Sequence, residues 1–389
     1  MTNLFILAGE HSGDVYGGRL LEALKTIDPT VTAYGVGGPL MRDQGFDCIM
    51  RMEDFQVMGF AEIVRKFPKI WKQFYALRDL ILERKPDVTI LIDYPGFNLR
   101  LAKALRKKGY KGKIVHYVCP TVWAWGKGRI KTLVNTLDLL LTIFPFEPSI
   151  FAKTPLQTQF VGHPLVEALN THKYDTEWKQ KVGLKCPTSN VLALFPGSRA
   201  GEVTRLLKRQ FEAAIKLRTD DPSLQIAVSC ADERVEALIR SIAAECNLNV
   251  GSDVVLVPRQ YSYDLMKDCR SAIAKSGTVN LEIALHEKPC VVVYEISVIN
   301  YLIMWYIIRL NLEHYSIVNI LSNKRIYPEL VTETFSSQQL YDALAPLHRE
   351  GAERTECLIG CQQTRESLHT NQDAAPSHRA AQAIAKLCE

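Results

Sequence analysis

The sequence at residues 87–96, DVTILIDYPG, decides the fold that we predict for this chain. Its first part, residues 87–92, is a short and almost continuous apolar run, and Pro95 and Gly96 mark the turn that follows. Strands that are buried on both faces, as in parallel sheets covered by helices, have this composition. Residues 87–92 are therefore predicted to form a central strand of a parallel sheet.

Similar apolar runs alternate with amphipathic segments on both sides of this strand. In the first half we predict strands at 3–8, 31–36, 113–118, 139–144 and 158–162, and helices at 15–26, 69–84 and 98–109. In the second half we predict strands at 191–195, 224–229, 254–257, 271–275 and 289–294, and helices at 200–218, 232–246 and 278–286. This alternation predicts an α/β protein with parallel, doubly wound sheets.

The length of the chain, 389 residues, exceeds that of one ordinary domain. The more polar segment 163–189 separates the two alternating sets. We therefore predict two Rossmann-like domains whose sheets face each other across a cleft. The predicted boundaries are 1–165 for the first domain, 166–365 for the second and 366–389 for a C-terminal helix.

Composition and charge narrow the class of protein. Hydrophobic residues make up 47% and charged residues 23% of the chain, which excludes general disorder. The net charge is +5, with basic clusters at 65–72, 100–113 and 127–131. Each cluster is either a solvated helix face or a surface for phosphates, nucleic acid or an anionic membrane.

Several features bear on the compartment and the membrane. The ten cysteines include no CxxC pair, so we interpret them as small buried residues in a reducing compartment. The N-terminal segment lacks the basic region and apolar length of a signal peptide, and a cytoplasmic protein is expected. The uncharged segment 296–308 is shorter than the roughly 20 residues that span a bilayer. It is predicted to be a buried helix, or an interfacial one with Tyr301, Trp305 and Tyr306 at headgroup depth.

Candidate site residues follow the predicted strands, because ligands of open α/β sheets bind beyond the carboxyl ends of the strands. Asp93 directly follows the strand at 87–92, and burial there should raise its pKa and suit it to accept a proton from a hydroxyl group. Asp14 is expected to cap the helix that follows it. The alternative bases are His11, His116 and His163.

Two loops of the second half predict a diphosphate site. Residues 196–199 (PGSR) and 276–278 (SGT) each stand between a strand and a helix. Small residues let backbone N–H groups approach an anion at a helix N-terminus, and Arg199 adds a forked cationic donor. No Walker, GxGxxG, DxD or zinc-ligand motif is present, so no metal or cofactor is predicted, and neither a kinase nor a dehydrogenase has support.

Eight motifs, in order along the chain, resemble those of the lipid-A-disaccharide synthase family, and the resemblance runs from residue 3 to about residue 335. They are GEHSGD (9–14), VMGFAEI (57–63), IDYPGFN (92–98), HYVCPTVWAW (116–125), FPFE (144–147), FVGHPL (160–165), FPGSRAGEV (195–203) and SGTVNLE (276–282). The resemblance implies an inverting glycosyltransferase of GT-B architecture. Such an enzyme joins UDP-2,3-diacylglucosamine to 2,3-diacylglucosamine 1-phosphate (lipid X), and gives a β-1,6 disaccharide 1-phosphate and UDP.

The resemblance also implies partners and a location. It implies action at the inner face of the inner membrane, so we expect peripheral attachment to an anionic membrane surface and no nucleic-acid partner. It implies that the C-terminal helix returns to the first domain. The sequence does not indicate an oligomeric state.

The resemblance assigns roles to the candidate residues. The residues expected to act in catalysis are Asp93 as the base, Arg199 as the essential arginine and Glu10 as the acidic position of the first loop. The residues expected to bind substrate are Ser12, Gly13, Gly197, Ser198, Ser276, Gly277, Thr278, Glu282 and Asn319. Among these, Glu282 matches the residue that holds ribose hydroxyls, and Asn319 matches an asparagine near the nucleotide.

The chain departs from the family pattern at two positions. Gly96 stands where many members have aspartate, and Gly126 stands where arginine usually follows the WAW sequence. Lys127 or Arg129 is expected to replace the missing charge. Two alternative functions stay open at this point: a nonhydrolysing UDP-sugar epimerase of the same architecture, and a catalytically silent protein that binds a nucleotide-linked lipid.

Overall fold

The computed structural model describes residues 2–55, 60–124, 126, 128–185, 190–295, 313–332, 334–369 and 374–388. Segment 296–308, Trp125 and Lys127 lie outside the described residues, as does part of the motif at 57–63. The chain divides into two compact units. The first unit comprises 1–168 and 368–389, and the second comprises 169–367.

The first unit is built on a parallel sheet. Its strands are β1 (Asn3–Ala8), β2 (Thr32–Gly37), β3 (Asp47–Arg51), β4 (Val88–Ile92), β5 (Lys113–Tyr117), β6 (Leu139–Thr142) and β7 (Gln157–Phe160). Its helices are α1 (His11–Ile27), α2 (Pro39–Asp43), α3 (Phe60–Arg84), α4 (Pro95–Lys107), α5 (Arg129–Thr136), α6 (Glu147–Phe151), α7 (Pro164–Thr171), whose last three residues belong to the second unit, and α16 (Pro376–Cys388). The strand order is β3-β2-β1-β4-β5-β6-β7.

The second unit repeats this plan. Its strands are β8 (Val191–Phe195), β9 (Gln225–Cys230), β10 (Val254–Pro258), β11 (Ser271–Lys275), β12 (Cys290–Glu295) and β13 (Glu329–Thr332). The described helices are α8 (Trp178–Val182), α9 (Ala200–Asp220), α10 (Glu233–Glu245), α11 (Ser262–Asp268), α12 (Thr278–Leu285), α13 (Ile317–Ser322), α14 (Ser337–His348) and α15 (Ala352–Leu368). The strand order is β10-β9-β8-β11-β12-β13.

The predicted parallel α/β architecture is confirmed, since strand pairs such as β1 with β4 and β8 with β11 are parallel. In each unit the strand order reverses beside the first strand, between β1 and β4 and between β8 and β11. Ligands of doubly wound sheets bind at this reversal point, outside the carboxyl ends of the strands. The topology therefore brings the loops after β1 and β4 together, and likewise the loops after β8 and β11.

The sheets form the cores of the units. All five residues of β4 and all five of β8 are buried, as expected for strands covered on both faces. The C-terminal helix α16 joins the core of the first unit, where Ala380 and Ile384 pack in the same apolar cluster as Leu20 and Leu24 of α1. In the described part of the chain, no helix combines the length and the apolar character needed to cross a membrane.

Candidate active site

The carboxyl end of β4 holds Asp93 in an unusual backbone conformation. Asp93 has φ of +49° and Tyr94 has φ of +45°, a region that non-glycine residues rarely enter. Asn98, buried in α4, stabilises this turn: its Nδ2 donates to the carbonyl oxygens of Asp93 at 2.7 Å and Ile92 at 3.2 Å. Consecutive left-handed residues are strained, and such strain clusters at functional sites. The turn fixes the position of the Asp93 carboxylate at the sheet edge.

Glu10 and Ser12, from the loop and helix that follow β1, lie beside Asp93. The Ser12 hydroxyl donates to Asp93 Oδ2 at 3.4 Å. Burial raises the pKa of the Asp93 carboxyl above its ordinary value. Glu10 has an exposed side chain, yet partial loss of hydration and the charge of Asp93 raise its pKa as well. The arrangement is an acidic pair at the reversal point of the first sheet.

Gly13 allows the first turn of α1 to lie against β1. A Cβ at this position would lie 3.3 Å from the Cβ of Ala8 and 3.7 Å from the Ile92 carbonyl oxygen. A larger side chain would therefore push α1 away from the ends of β1 and β4. Gly13 keeps Ser12 within reach of Asp93 through this close packing.

The prediction that Asp14 caps the helix directly following it is wrong. Asp14 is buried in α1, and its carboxylate accepts hydrogen bonds from the backbone N–H groups of Gly38 (2.8 Å), Leu40 (3.0 Å) and Met41 (3.1 Å). These groups form the N-terminus of α2, where N–H donors lack partners within the helix. Asp14 thus caps a helix from another part of the sequence.

The histidines considered as alternative bases lie in different surroundings. His11 is exposed at the start of α1. His116 and His163 are buried, and burial lowers their pKa values to about 4 and about 3. The Nδ1 atom of His116 lies 3.0 Å from the Val118 carbonyl oxygen, so it donates there, and the lowered pKa keeps the ring neutral near pH 7. We interpret His116 and His163 as structural residues.

The role of Glu147, in the FPFE motif, was not predicted from the sequence. Glu147 is buried, and its Oε2 accepts hydrogen bonds from the backbone N–H groups of Ile143 (3.2 Å) and Phe144 (3.0 Å). Burial raises its pKa to about 7 despite these donors. The ring of Trp123 packs edge-on against Phe146, with centroids 5.6 Å apart. Glu147 therefore holds the loop that follows β6, and only its place after a strand could have suggested this.

The second unit contains a cavity of about 590 Å³ at its own reversal point. Residues of the loops after β8 and β11 line it, together with residues from α11 and α12. These residues include Pro196, Gly197, Ser198, Gly277, Thr278 and Glu282. Gly197 has φ of +115°, a conformation suited to glycine, and it brings the loop backbone close to the cavity. The loops predicted to bind a diphosphate thus share one cavity wall.

Arg199 and Ser276 are placed differently from their neighbours. Arg199 occupies the N-cap position of α9 without a side-chain capping bond. Its side chain is 83% exposed, and its Nη1 lies 3.6 Å from Glu202 Oε1. It stands beside the lining residues Ser198 and Glu202 without lining the cavity itself. The Ser276 N–H donates to the Val293 carbonyl oxygen at 2.9 Å, which anchors the loop to the sheet. The catalytic role of Arg199 and the substrate-binding role of Ser276 stay predictions.

Glu282 lies in the cavity wall with a tyrosine as its hydrogen-bond donor. The Tyr263 hydroxyl donates to Glu282 Oε1 at 3.2 Å, and burial raises the pKa of the carboxyl group. The Tyr263 ring packs between His172 and His286, with centroid distances of 5.0 and 5.6 Å. His286 Nδ1 lies 2.7 Å from the Glu282 carbonyl oxygen, so it donates there, while its Nε2 accepts from the Tyr174 hydroxyl at 3.0 Å. This packing fixes the carboxylate in one orientation.

Asn319 is buried at α13, and its side chain binds the backbone of the following segment. Its Oδ1 accepts from the N–H groups of Ile326 and Tyr327, both at 2.9 Å, and its Nδ2 donates to the Tyr327 carbonyl oxygen at 2.8 Å. These bonds hold the segment that leads into β13. Its predicted position near a nucleotide stays a prediction. Within the described ranges, no group of three or more His, Cys, Asp or Glu side chains is arranged to hold a metal ion.

Solved structures with the same architecture define the class of fold. UDP-GlcNAc 2-epimerase from Neisseria meningitidis, bound to UDP-GlcNAc, aligns with a TM-score of 0.60 at 11% identity, over 100% of this chain and 99% of that chain. Arabidopsis thaliana UGT89C1 complexed with UDP aligns with a TM-score of 0.59 at 12% identity, over 100% of both chains. The fold is therefore the GT-B fold, which sugar-nucleotide epimerases and glycosyltransferases share.

Sequence comparison then identifies the family. The pattern of the lipid-A-disaccharide synthetase family matches residues 4–384. The lipid-A-disaccharide synthase of Geobacter metallireducens is 35% identical over 352 residues, which cover 89% of each protein. The chain belongs to the lipid-A-disaccharide synthetase family.

The relatives differ in length. The lipid-A-disaccharide synthase of Chlamydia pneumoniae is 38% identical over 355 residues, 90% of this chain but 58% of that protein. The corresponding protein of Chlamydia muridarum is 41% identical over 328 residues, 84% of this chain and 53% of that protein. The chain thus spans a little more than half the length of these relatives, and nearly the whole length of the Geobacter protein.

Proposed function

We propose that this chain transfers 2,3-diacylglucosamine from UDP to the 6-hydroxyl of 2,3-diacylglucosamine 1-phosphate (lipid X). The products are the β-1,6 disaccharide 1-phosphate and UDP. The observation that carries the proposal is the family match over residues 4–384, which includes both reversal-point sites. The chemistry of these two sites supports it further.

The donor UDP-sugar is assigned to the cavity of the second unit. Gly197, Ser198, Gly277 and Thr278 present a loop backbone and small side chains that suit a diphosphate. Glu282 offers a largely buried carboxylate that accepts hydrogen bonds from two ribose hydroxyls. The exposed Arg199 guanidinium stands at the edge of this region and is free of a strong internal bond, so it is available for the leaving diphosphate.

The acceptor hydroxyl is assigned to the acidic pair of the first unit. The Asp93 carboxylate removes the proton from the 6-hydroxyl, and the oxygen attacks C1 of the donor sugar. The bond between C1 and the diphosphate oxygen breaks as the new bond forms, and its electron pair leaves with UDP. Attack opposite the leaving group converts an α donor into a β product. The raised pKa of Asp93 brings its basicity closer to that required of a general base.

The acylated substrates call for access to a lipid surface, and peripheral attachment to an anionic membrane is part of the proposal. Trp71 and Tyr75 on α3 are 43% and 37% exposed. The basic cluster at 100–113 covers the second half of α4 and the segment that follows it. The Arg78 guanidinium lies over the Tyr75 ring at 4.6 Å, and exposed aromatic residues beside basic residues suit a membrane interface. Cosedimentation with anionic liposomes should weaken with salt and on replacement of Trp71 and Tyr75 by serine. Binding that is insensitive to both changes would contradict this part of the proposal.

A UDP-sugar epimerase is the competing function, since epimerases share the fold. The deciding experiment incubates the chain with UDP-2,3-diacylglucosamine, with and without lipid X. We expect UDP release that depends on lipid X, together with a β-1,6-linked product identified by mass spectrometry and NMR. A sugar-nucleotide isomer that forms without lipid X would favour the epimerase, and no turnover of the donor under either condition would contradict the proposal.

A further inference from the structure

Lys275 is a cation inside the cavity of the second unit that sequence analysis did not single out. It is the last residue of β11 and directly precedes the loop at 276–278. It lines the same cavity as Gly197, Ser198 and Thr278. Its side chain is 20% exposed, against 83% for Arg199. Lys275 is therefore the more enclosed of the two cations that flank the loops.

Glu202 holds the Lys275 ammonium group in place. Lys275 Nζ lies 3.1 Å from Glu202 Oε1, and the Glu202 side chain is only 12% exposed. Glu202 lies in the first turn of α9, with its carboxylate against the loop at Gly197, where an added Cβ would lie 2.5 Å from Oε2. The Nζ atom also lies 5.3 Å from the centre of the Tyr294 ring. These contacts hold the Lys275 ammonium group between Glu202 and the Tyr294 ring.

The charges around Glu202 do not balance. One carboxylate faces two cations, since Arg199 Nη1 lies 3.6 Å from the same oxygen that binds Lys275. Arg259 also lines the cavity, where the Glu282 carboxylate offsets its charge. The surplus arises from Arg199 and Lys275 at Glu202. A half-enclosed positive charge is costly unless an anion compensates it. The surplus positive charge at the two loops therefore suits an anionic ligand beyond Glu202.

We propose that Lys275 is a second cation of the diphosphate site, and that it binds the diphosphate directly and stabilises it as the leaving group. The inference rests on the proposed function and adds a residue to its donor site. Glu202 acts as the positioning residue that holds Lys275 beside the loops before the nucleotide enters. On this assignment the enclosed lysine and the exposed arginine share the charge that develops on UDP.

The test is calorimetric titration of the full chain with UDP and, in a separate experiment, with uridine, which lacks the diphosphate. Lys275→Met should weaken UDP binding roughly tenfold or more, the range expected for one charged hydrogen bond, and change uridine binding less than about twofold. Lys275→Arg should retain most of the affinity for UDP. Lys208→Met is the matched control, because Lys208 pairs with Glu245 at 3.7 Å and is exposed on α9. It should bind UDP like the native chain.

The double variant Lys275→Met/Glu202→Gln separates a direct contact from an indirect one. Loss of Lys275 alone leaves the Glu202 carboxylate facing the ligand, and its repulsion would weaken UDP binding by itself. If the double variant binds UDP as weakly as Lys275→Met, the lysine contacts the diphosphate. If it regains the native affinity, the direct contact is contradicted.

Two further outcomes separate this inference from the proposed function. Equal affinity of the native chain and Lys275→Met for UDP would overturn the role of Lys275 and leave the donor site in place. A native chain that does not bind UDP would overturn the proposed donor site, and the role of Lys275 with it. Thermal unfolding of each variant should match the native profile within a few degrees, so that binding changes report on the site.

Discussion

At the scale of single residues, each site depends on the type of its key side chain and on contacts that hold this side chain in place. The sequence identified Asp93 from its place after a buried strand, but the left-handed turn at Asp93 and Tyr94 depends on Asn98 and on the Tyr117 carbonyl, which accepts from the Asp93 N–H at 2.9 Å. In the second unit, Glu282 was identified by resemblance, whereas its donor Tyr263 lies 19 residues away. Contacts of this range cannot be predicted from local pattern.

Tyr263→Phe should weaken the recognition of ribose hydroxyls. The variant keeps the ring between His172 and His286 but removes the donor that orients the Glu282 carboxylate. We expect about tenfold weaker UDP binding, with little change for UDP that lacks both ribose hydroxyls. Calorimetric titration measures both. Tyr341→Phe is the control, since Tyr341 donates to Asp220 elsewhere in the unit. An equal loss for the two ligands would contradict the orienting role.

Glu147→Gln should change how stability depends on pH. Because burial raises the pKa of Glu147 from 4.5 to about 7, the folded protein binds its proton more tightly than the unfolded chain does. This contribution to stability is complete below pH 4.5 and is lost as pH rises through about 7. The neutral glutamine lacks this loss, so the variant should gain up to about 3 kcal/mol relative to the native chain between pH 5 and 8. Parallel profiles of unfolding free energy against pH, measured in urea, would contradict the shift.

At the scale of secondary structure elements, burial determined what the sequence could predict. Fully buried strands such as β4 and β8 were predicted within a residue of their observed bounds. The edge strands β3 and β13 were missed, since half-exposed residues such as those of β3 lack a continuous apolar run. Helix α3 begins at Phe60 and contains Pro68, whereas the sequence predicted a start at residue 69.

Asp14→Ala tests whether a side chain of α1 stabilises the start of α2. The variant leaves three backbone N–H groups at the start of α2 without their acceptor, two of them from the buried Gly38 and Met41 bonds. We expect a loss of about 2–4 kcal/mol in the free energy of unfolding, since buried donors without partners are costly. Asp14→Asn keeps an acceptor and should lose less. Urea unfolding of both variants measures the difference, and equal stability of Asp14→Ala and the native chain would refute the capping role.

At the scale of the whole molecule, the C-terminal segment packs in the same unit as the N-terminal residues. The last 22 residues belong to the first unit, and Glu167 accepts from the Ser377 N–H at 3.0 Å and from the Ser377 hydroxyl at 2.8 Å. The Arg379 guanidinium donates to the Phe160 carbonyl oxygen at 2.8 Å. Alternation of strands and helices predicted two units. The return of the last helix was implied only by family resemblance, because its contacts join residues more than 200 positions apart.

Ile384→Ala should destabilise the first unit rather than the second. Ile384 of α16 is 1% exposed and packs in the cluster of β1, α1 and β4. We expect a loss of about 2–5 kcal/mol, as for other buried isoleucine-to-alanine changes. Gln382→Ala, at an exposed position of the same helix, should change stability by less than about 0.5 kcal/mol. Hydrogen exchange should quicken in β1 and α1 of Ile384→Ala, and faster exchange confined to β8 and α9 would contradict the assignment.

The most direct measurement compares the native chain with Asp93→Asn in the transfer of 2,3-diacylglucosamine from UDP to lipid X, followed across pH. We expect a β-1,6-linked product whose rate of formation rises with pH as the Asp93 carboxyl ionises. We also expect a kcat about 10²- to 10⁴-fold lower in Asp93→Asn, with UDP affinity unchanged. An Asp93→Asn variant that turns over at the native rate, or a native chain that forms an α-linked product, would contradict the account.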